Sequence, residues 1–131
     1  CTAAKRGVDV RIVTPAIPDK PTIFRLTRSN YPPLLRAGIR IFEYTPGFIH
    51  AKSYICDDEF GVVGSVNMDF RSLYLHFECA TLLYRTSGLE ELKKDSLETI
   101  AASREITLKD CKQGIIGGLF DSVLRVFAPL C

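Results

Sequence analysis

Residues 49–69 read IHAKSYICDDEFGVVGSVNMD. Two short apolar runs flank an acidic cluster, the pattern of two strands joined by a tight connection. It predicts a strand from Ile49 to Cys56, a turn at DDEFG, and a returning strand at VVGS. Side chains alternate faces along a strand, so His50 and Lys52, two residues apart, share one face. Asp57 falls on the opposite parity, at the turn. An imidazole beside an ammonium suits phosphate chemistry. The imidazole can attack phosphorus or carry a proton, and the ammonium neutralises charge on phosphoryl oxygens. The returning strand brings Gly64, Ser65 and Asn67 back beside the start. Gly64 permits close approach of the backbone to a ligand. Ser65 and Asn67 add neutral donors for a phosphate oxygen. Asp57 suits a turn-bracing role.

Upstream, VDVRIVT (8–14) reads as a strand ended by Pro15 and Pro18. Asp19 is a candidate cap for a helix running to about Ser29, and PPLLRAG reads as a second helix with Gly38 just past its end. IRIFEY (39–44) is the next strand. Strand, helices, strand is the pattern of a right-handed βαβ unit with parallel strands. Downstream, DFRSLYL reads as a short irregular or helical piece and FECATLLY (77–84) as a further strand. SGLEELKKDSLETIAASRE (87–105) reads as a helix. The C-terminal run from Lys112 has apolar residues at 115, 116, 119, 120, 123, 124 and 127, a helical stripe suited to packing on the fold or, less well, to a membrane surface. The expected class is α/β, with a mixed, largely parallel sheet flanked by helices. Residues 1–131 read as a single domain.

Composition narrows the function. The chain has 131 residues, 47% hydrophobic and 24% charged, which suits one globular domain. Net charge is +2, from 17 basic against 15 acidic residues, so bulk charge gives no drive toward nucleic acid. Five cysteines include no CxxC pair, and with only two histidines a structural zinc site is not expected. They read as reduced thiols, with Cys56 and Cys79 as small buried hydrophobes. No signal peptide or bilayer-spanning apolar run stands out. AAKRG at 3–7 reads as the last turn of a helix closed by Gly7, so a piece of a longer protein is expected.

The spacing H-x-K-x4-D-x6-G-S-x-N, at His50, Lys52, Asp57, Gly64, Ser65 and Asn67, is the signature of the phospholipase D superfamily, and the match is without departure. The wider stretch GFIHAKSYICDDEFGVVGSVNMDFRSLYLHFE resembles the C-terminal motif region of bacterial cardiolipin synthases. AAKRGVDVRIVTP, LLRAGIRIFEY and the closing FAPL extend the resemblance over nearly the whole chain. His76 stands where that family usually has Asn.

The resemblance implies two similar halves, each with one such motif, and a site between them. One motif histidine becomes a phosphohistidine and the other protonates the leaving alcohol. The implied substrates are two phosphatidylglycerol molecules, giving cardiolipin and glycerol, with no metal or organic cofactor. Carried over by position, His50, Lys52 and Asn67 are this half's catalytic and phosphate-binding residues, with Ser65 near the phosphate. Glu78 stands 28 residues after His50, where the superfamily often has a carboxylate that orients the motif histidine. His50 is left open as nucleophile or general acid. The implied partners are the N-terminal half of a parent enzyme or a second copy of this chain, and the cytoplasmic face of the bacterial membrane through the parent. The fragment itself reads as soluble, and no nucleic-acid partner is expected. Two alternatives stay open: a phosphodiesterase or nuclease acting as a homodimer, and a phosphate-binding domain without turnover.

Other polar residues have plainer readings. His76 reads as a strand or loop residue. Arg71 and Ser72 are suited either to a head-group phosphate or to ion-pair and capping roles. Tyr31, Tyr44 and Tyr54 read as packing residues.

Overall fold

The computed structural model describes residues 1–18 and 20–111. Within them the chain divides into two compact units, residues 1–49 with 102–111, and residues 50–101. The α/β class expected from sequence holds.

The first unit starts with helix α1 (Thr2–Lys5), strand β1 (Arg11–Pro15), helices α2 (Pro21–Ser29) and α3 (Tyr31–Arg36), and strand β2 (Arg40–Tyr44). β1 and β2 pair in parallel, with Ile12 opposite Ile41, so the predicted βαβ connection is present. Gly7 and Gly38 close α1 and α3 with φ of +94° and +91°. After α3, the Gly38 amide reaches the Leu35 carbonyl and the Ile39 amide the Leu34 carbonyl, the paired bonds that satisfy orphan carbonyls at a helix end. Lys20 takes the N-cap position of α2 ahead of Pro21. Asp19, the expected cap, lies outside the described residues.

The core of this unit is Tyr31, Ile39, Ile41 and Ile106, with Val10, Ile12, Leu34 and Leu35 packed against it. Ile106 belongs to β6 (Ser103–Ile106), a strand where the sequence suggested a continuing helix. It pairs antiparallel with β2 and sets Arg104 opposite Glu43. Glu43 is buried, and Arg28 and Arg104 both form ion pairs with it at 3.4 Å. On the neighbouring edge Arg40 grips Glu105 through two hydrogen bonds of 2.8 and 3.1 Å. These long-range partners outweigh the weak helical pattern of the polar segment SREI.

The second unit holds β3 (Ser53–Cys56), β4 (Phe60–Gly64), helix α4 (Phe70–Tyr74), β5 (Ala80–Tyr84) and helix α5 (Ser87–Ala101). Its sheet has the order β3-β4-β5 and is wholly antiparallel. Parallel pairing is therefore confined to β1 and β2, and the expected largely parallel sheet is two small sheets of three strands each. Asp57 and Asp58, with φ of +50° and +58°, form the tight β3–β4 turn, closed by the Glu59 amide on the Cys56 carbonyl. Two positive φ values suit the right-handed twist of a hairpin. α5 packs where Gly61 has no side chain: a Cβ there would lie 2.6 Å from Leu89 Cδ1.

Several expected boundaries move. The strand predicted over 49–56 begins at Ser53, and the one predicted over 77–84 begins at Ala80. β1 includes Pro15, which an edge strand tolerates because its missing N–H need not serve the ladder. Cys56 and Cys79 are exposed rather than buried, since one borders the turn and the other precedes β5. The C-terminal apolar stripe lies outside the described residues. No helix among the described residues is long and apolar enough to cross a membrane.

Candidate active site

His50, Lys52, Ser65, Asn67 and Glu78 all fall within the unit spanning residues 50–101. His50 and Lys52 immediately precede β3, and the Gly64 amide donates to the Lys52 carbonyl at 3.1 Å, extending the β3–β4 ladder by one step. Lys52 folds back so that Nζ lies 2.9 Å from His50 Nδ1 and 2.8 Å from the His50 carbonyl oxygen. The two side chains are thus in direct contact, although both residues lie before β3 and outside the strand from which a shared face was expected. A protonated lysine has only hydrogens to offer, so Nδ1 accepts. In a neutral imidazole the hydrogen then resides on Nε2.

Asp57 sits at the other end of the hairpin, in the turn. Its left-handed backbone shapes the turn, and its carboxylate accepts from Cys56 Sγ at 3.6 Å. Gly64 has a steric role between strands. A Cβ there would lie 2.3 Å from the Cys79 carbonyl oxygen and 2.5 Å from Ala80 Cα. The close approach it permits is that of β5 and the segment just before it, where Glu78 and Cys79 lie alongside Ser65.

Ser65 joins the two segments. Its amide donates to the Cys79 carbonyl at 2.9 Å, and its hydroxyl oxygen accepts from the Cys79 amide at 3.0 Å. The Ser65 hydroxyl proton is directed at Glu78 Oε2. The Ser65 bond first, then the neighbouring Ser72 hydroxyl, hold the Glu78 carboxyl below the usual range against a smaller opposing effect of burial, with the Lys52 ammonium adding to the lowering.

Asn67 stands on the loop after β4. Tyr54 in β3 donates its hydroxyl to the Val66 carbonyl at 2.8 Å and so pins this loop to the sheet. Asn67 Nδ2 donates to Ser72 Oγ at 3.3 Å. Ser72 lies in α4, where the Asp69 side chain caps the Ser72 amide at 2.8 Å. Sequence reading left Ser72 between a phosphate contact and a capping role and gave Asp69 none. The readable signal was D-x-x-S, the spacing that sets a side-chain acceptor under a first-turn amide. His76 is exposed and its amide bonds the Arg71 carbonyl.

The segment between Asn67 and Glu78 is unusually apolar on its surface. Met68, Phe70, Leu73, Tyr74, Leu75 and Phe77 are all exposed. Among the described residues, no group of His, Cys, Asp and Glu side chains could hold a metal ion. The site offers an imidazole, an ammonium, a carboxamide and a hydroxyl-clamped carboxylate, a set suited to binding and protonating a phosphodiester.

Comparison with known proteins identifies the family. The family model described as "Cardiolipin synthase, PLD-like domain" matches residues 1–98. An uncharacterized protein of Streptococcus mutans is 50% identical over 129 residues, covering 98% of this chain and 28% of that protein. A cardiolipin synthase of a Geobacillus species is 40% identical over 129 residues, 98% of this chain and 26% of that enzyme. Cardiolipin synthase 2 of Bacillus anthracis is 39% identical over the same length, 98% of this chain and 25% of that enzyme. The chain therefore spans about a quarter of the length of these relatives. No solved structure matches. By the family match and these identities, the chain belongs to the phospholipase D-like domain family of the cardiolipin synthases.

Proposed function

We propose that this chain is one catalytic half of a cardiolipin synthase, a phosphatidyltransferase acting between two phosphatidylglycerol molecules. Residues 1–131 are read as one phospholipase D-like half that includes both compact units. The observation that carries the reading is the contact between Lys52 Nζ and His50 Nδ1, set in the same unit as Asn67 and the clamped Glu78. With Nδ1 accepting, Nε2 holds a hydrogen and has no free lone pair. This favours proton transfer over nucleophilic attack for His50.

The sequence of events then runs as follows. The histidine of a second motif attacks phosphorus of the first phosphatidylglycerol. The phosphorus–oxygen bond to the head-group glycerol breaks, and His50 gives that oxygen its Nε2 proton while the Lys52 ammonium passes a proton to Nδ1, so the ring stays neutral. Lys52 and Asn67, with Ser65 beside them, stabilise the phosphoryl oxygens; Lys52 holds the imidazole at Nδ1, and Glu78, expected from the resemblance to orient it, instead holds the Ser65 hydroxyl. A hydroxyl of the second phosphatidylglycerol then attacks phosphorus as the bond to the phosphohistidine nitrogen breaks, its proton going to His50 Nε2 while Nδ1 returns one to Lys52, and cardiolipin is released. The second motif comes from the rest of a parent enzyme or from a second copy of this chain, because His76 has no lysine two residues on. The apolar surface between Asn67 and Glu78 favours a substrate with acyl tails over a polyanionic strand. The parent acts at the cytoplasmic face of the membrane.

The test is incubation of the full-length protein bearing this chain with labelled phosphatidylglycerol in vesicles. Cardiolipin and glycerol are expected, and His50→Ala is expected to abolish both. Undiminished product from His50→Ala would overturn the assignment. Trapped label should map to a histidine other than His50. Cleavage of single-stranded DNA without cardiolipin would favour the nuclease.

A further inference from the structure

Helix α4 is apolar on the wrong side for packing. Its one buried residue is Ser72, at 7% exposure, while Phe70, Leu73 and Tyr74 are exposed, Tyr74 at 73%. At about 100° per residue, Phe70 and Tyr74 lie about 160° round the helix from Ser72, with Leu73 beside them. The apolar stripe therefore faces away from the unit that holds the helix, the reverse of a helix laid on a core. Met68, Leu75 and Phe77 flank it and are exposed as well. Phe70 and Tyr74 stack with ring centroids 4.9 Å apart. Polar bonds fix the inner side: Asp69 caps the Ser72 amide at 2.8 Å, and Ser72 Oγ accepts from Asn67 at 3.3 Å. Charge is sorted in the same sense. No acidic residue stands between Phe70 and Phe77, and Arg71 and His76 are exposed there. The two flanking carboxylates turn inward, Asp69 to the Ser72 amide and Glu78 to the Ser65 hydroxyl.

We propose that residues 68–77 form a lipid-contact surface that enters the interfacial layer of an anionic bilayer beside the site. The proposal rests on the reading of the site as one that acts on a phosphatidyl lipid. The segment borders Asn67 at one end and the Ser65–Glu78 pair at the other. A diacyl lipid whose phosphate reaches Lys52 and Asn67 keeps its acyl chains in the bilayer, because each CH₂ drawn into water costs about 0.8 kcal/mol. The surface next to that phosphate then lies at the bilayer boundary. Exposed aromatic rings, one with a hydroxyl, suit that boundary, and Arg71 and His76 meet the anionic head groups. A second protein half is the competing occupant. A segment of ten residues falls short of the about 20–30 residues that each side of a stable protein interface supplies. Interfacial insertion scales with apolar area and attraction to anionic lipid, and this segment has both.

The chain has no tryptophan, so one introduced indole reports alone. Phe77→Trp and Tyr74→Trp place it on this surface, and Leu97→Trp places it on α5, at another exposed position. Each variant of the chain is mixed with vesicles of phosphatidylglycerol bearing brominated acyl chains, and with brominated phosphatidylcholine vesicles. Phe77→Trp and Tyr74→Trp should shift to the blue and be quenched in phosphatidylglycerol, and less so in phosphatidylcholine. Leu97→Trp should respond in neither. Adding Phe70→Ser and Leu73→Ser to Phe77→Trp should weaken vesicle binding about tenfold or more. Unquenched indoles at both 74 and 77, or equal quenching at 97, overturn the proposal. So does a blue shift that grows with protein concentration in the absence of lipid, the mark of a second copy on this surface. Cardiolipin formation by the full-length protein is followed separately. Product without insertion sinks the proposal and leaves the transferase reading standing, and insertion without product does the reverse.

Discussion

Lys52 Nζ lies 2.9 Å from His50 Nδ1 and 2.8 Å from the carbonyl oxygen of the same residue. One ammonium thus fixes both the ring and the backbone of the histidine. Lys52→Ala is expected to cost two orders of magnitude or more in turnover, because it removes charge stabilisation and tautomer control together. Lys52→Arg should recover little, since a planar guanidinium cannot reproduce a compact ammonium turned back on its own strand. Rates of cardiolipin formation by the two variants check this, with nearly wild-type activity for Lys52→Arg as the contrary outcome.

Glu78 carries a pH dependence. Its carboxyl is held down by Ser65 and Ser72, so the folded state binds its proton less readily than the unfolded state. Its contribution to stability is then fully present above the ordinary glutamate value and is lost as pH falls through the depressed folded value. Glu78→Gln should lose stability relative to wild type near neutrality, and the two should converge in acid. Thermal unfolding from pH 7 downward measures the convergence, and a constant gap would contradict it.

Gly64→Ala should destabilise the second unit by about 1–3 kcal/mol, the usual cost of overpacking. The new Cβ meets the Cys79 carbonyl and the Ala80 backbone at 2.3 and 2.5 Å, and backbone cannot swing aside as a side-chain tip can. Chemical denaturation gives the value. The Glu78 titration should move as well, because Ser65 is adjacent.

Tyr31 is buried and its hydroxyl bonds Thr14 Oγ1 at 2.7 Å. Burial is the main cause that pushes its phenol up to about 12, partly opposed by the Thr14 bond. Ultraviolet titration should show one tyrosine ionising later than the rest. Since the unfolded chain loses that proton first, stability should fall as pH rises above the ordinary tyrosine value. Tyr31→Phe should remove that alkaline dependence and cost about 1 kcal/mol for the lost hydrogen bond.

Ile41→Ala should cost about 2–5 kcal/mol, the range for emptying a core aliphatic position. Ile41 is fully buried between β1 and β6, opposite Ile12 on one side and Ile106 on the other. Denaturant unfolding of the first unit's signal is the measurement.

Much of this architecture is local and was readable in order along the chain. Gly7 and Gly38 end helices because only a left-handed residue closes those turns cheaply. The βαβ connection followed from β-branched runs separated by helical ones. His50 and Lys52 were expected on one face by strand parity, but β3 begins only at Ser53, and their contact comes from Lys52 turning back on His50. The family itself was legible in six spaced residues, and the matched relatives agree with it.

What the sequence left undetermined depends on partners distant along the chain. SREI became a strand because β2 offers Arg104 a buried carboxylate and Ile106 a place in the core. Cys79 lies in an apolar run, yet it is exposed where β5 begins. Gly64 looked like room for a ligand, and the room is filled by the neighbouring strand. Ser72 gave no sign that its hydroxyl accepts from Asn67, because that bond forms only when the loop after β4 is brought against α4. Spacing along one chain determined which groups are present and which share a face. Pairing between segments decided which hydrogen each group gives and to whom, since a hydrogen bond requires two atoms brought within about 3 Å.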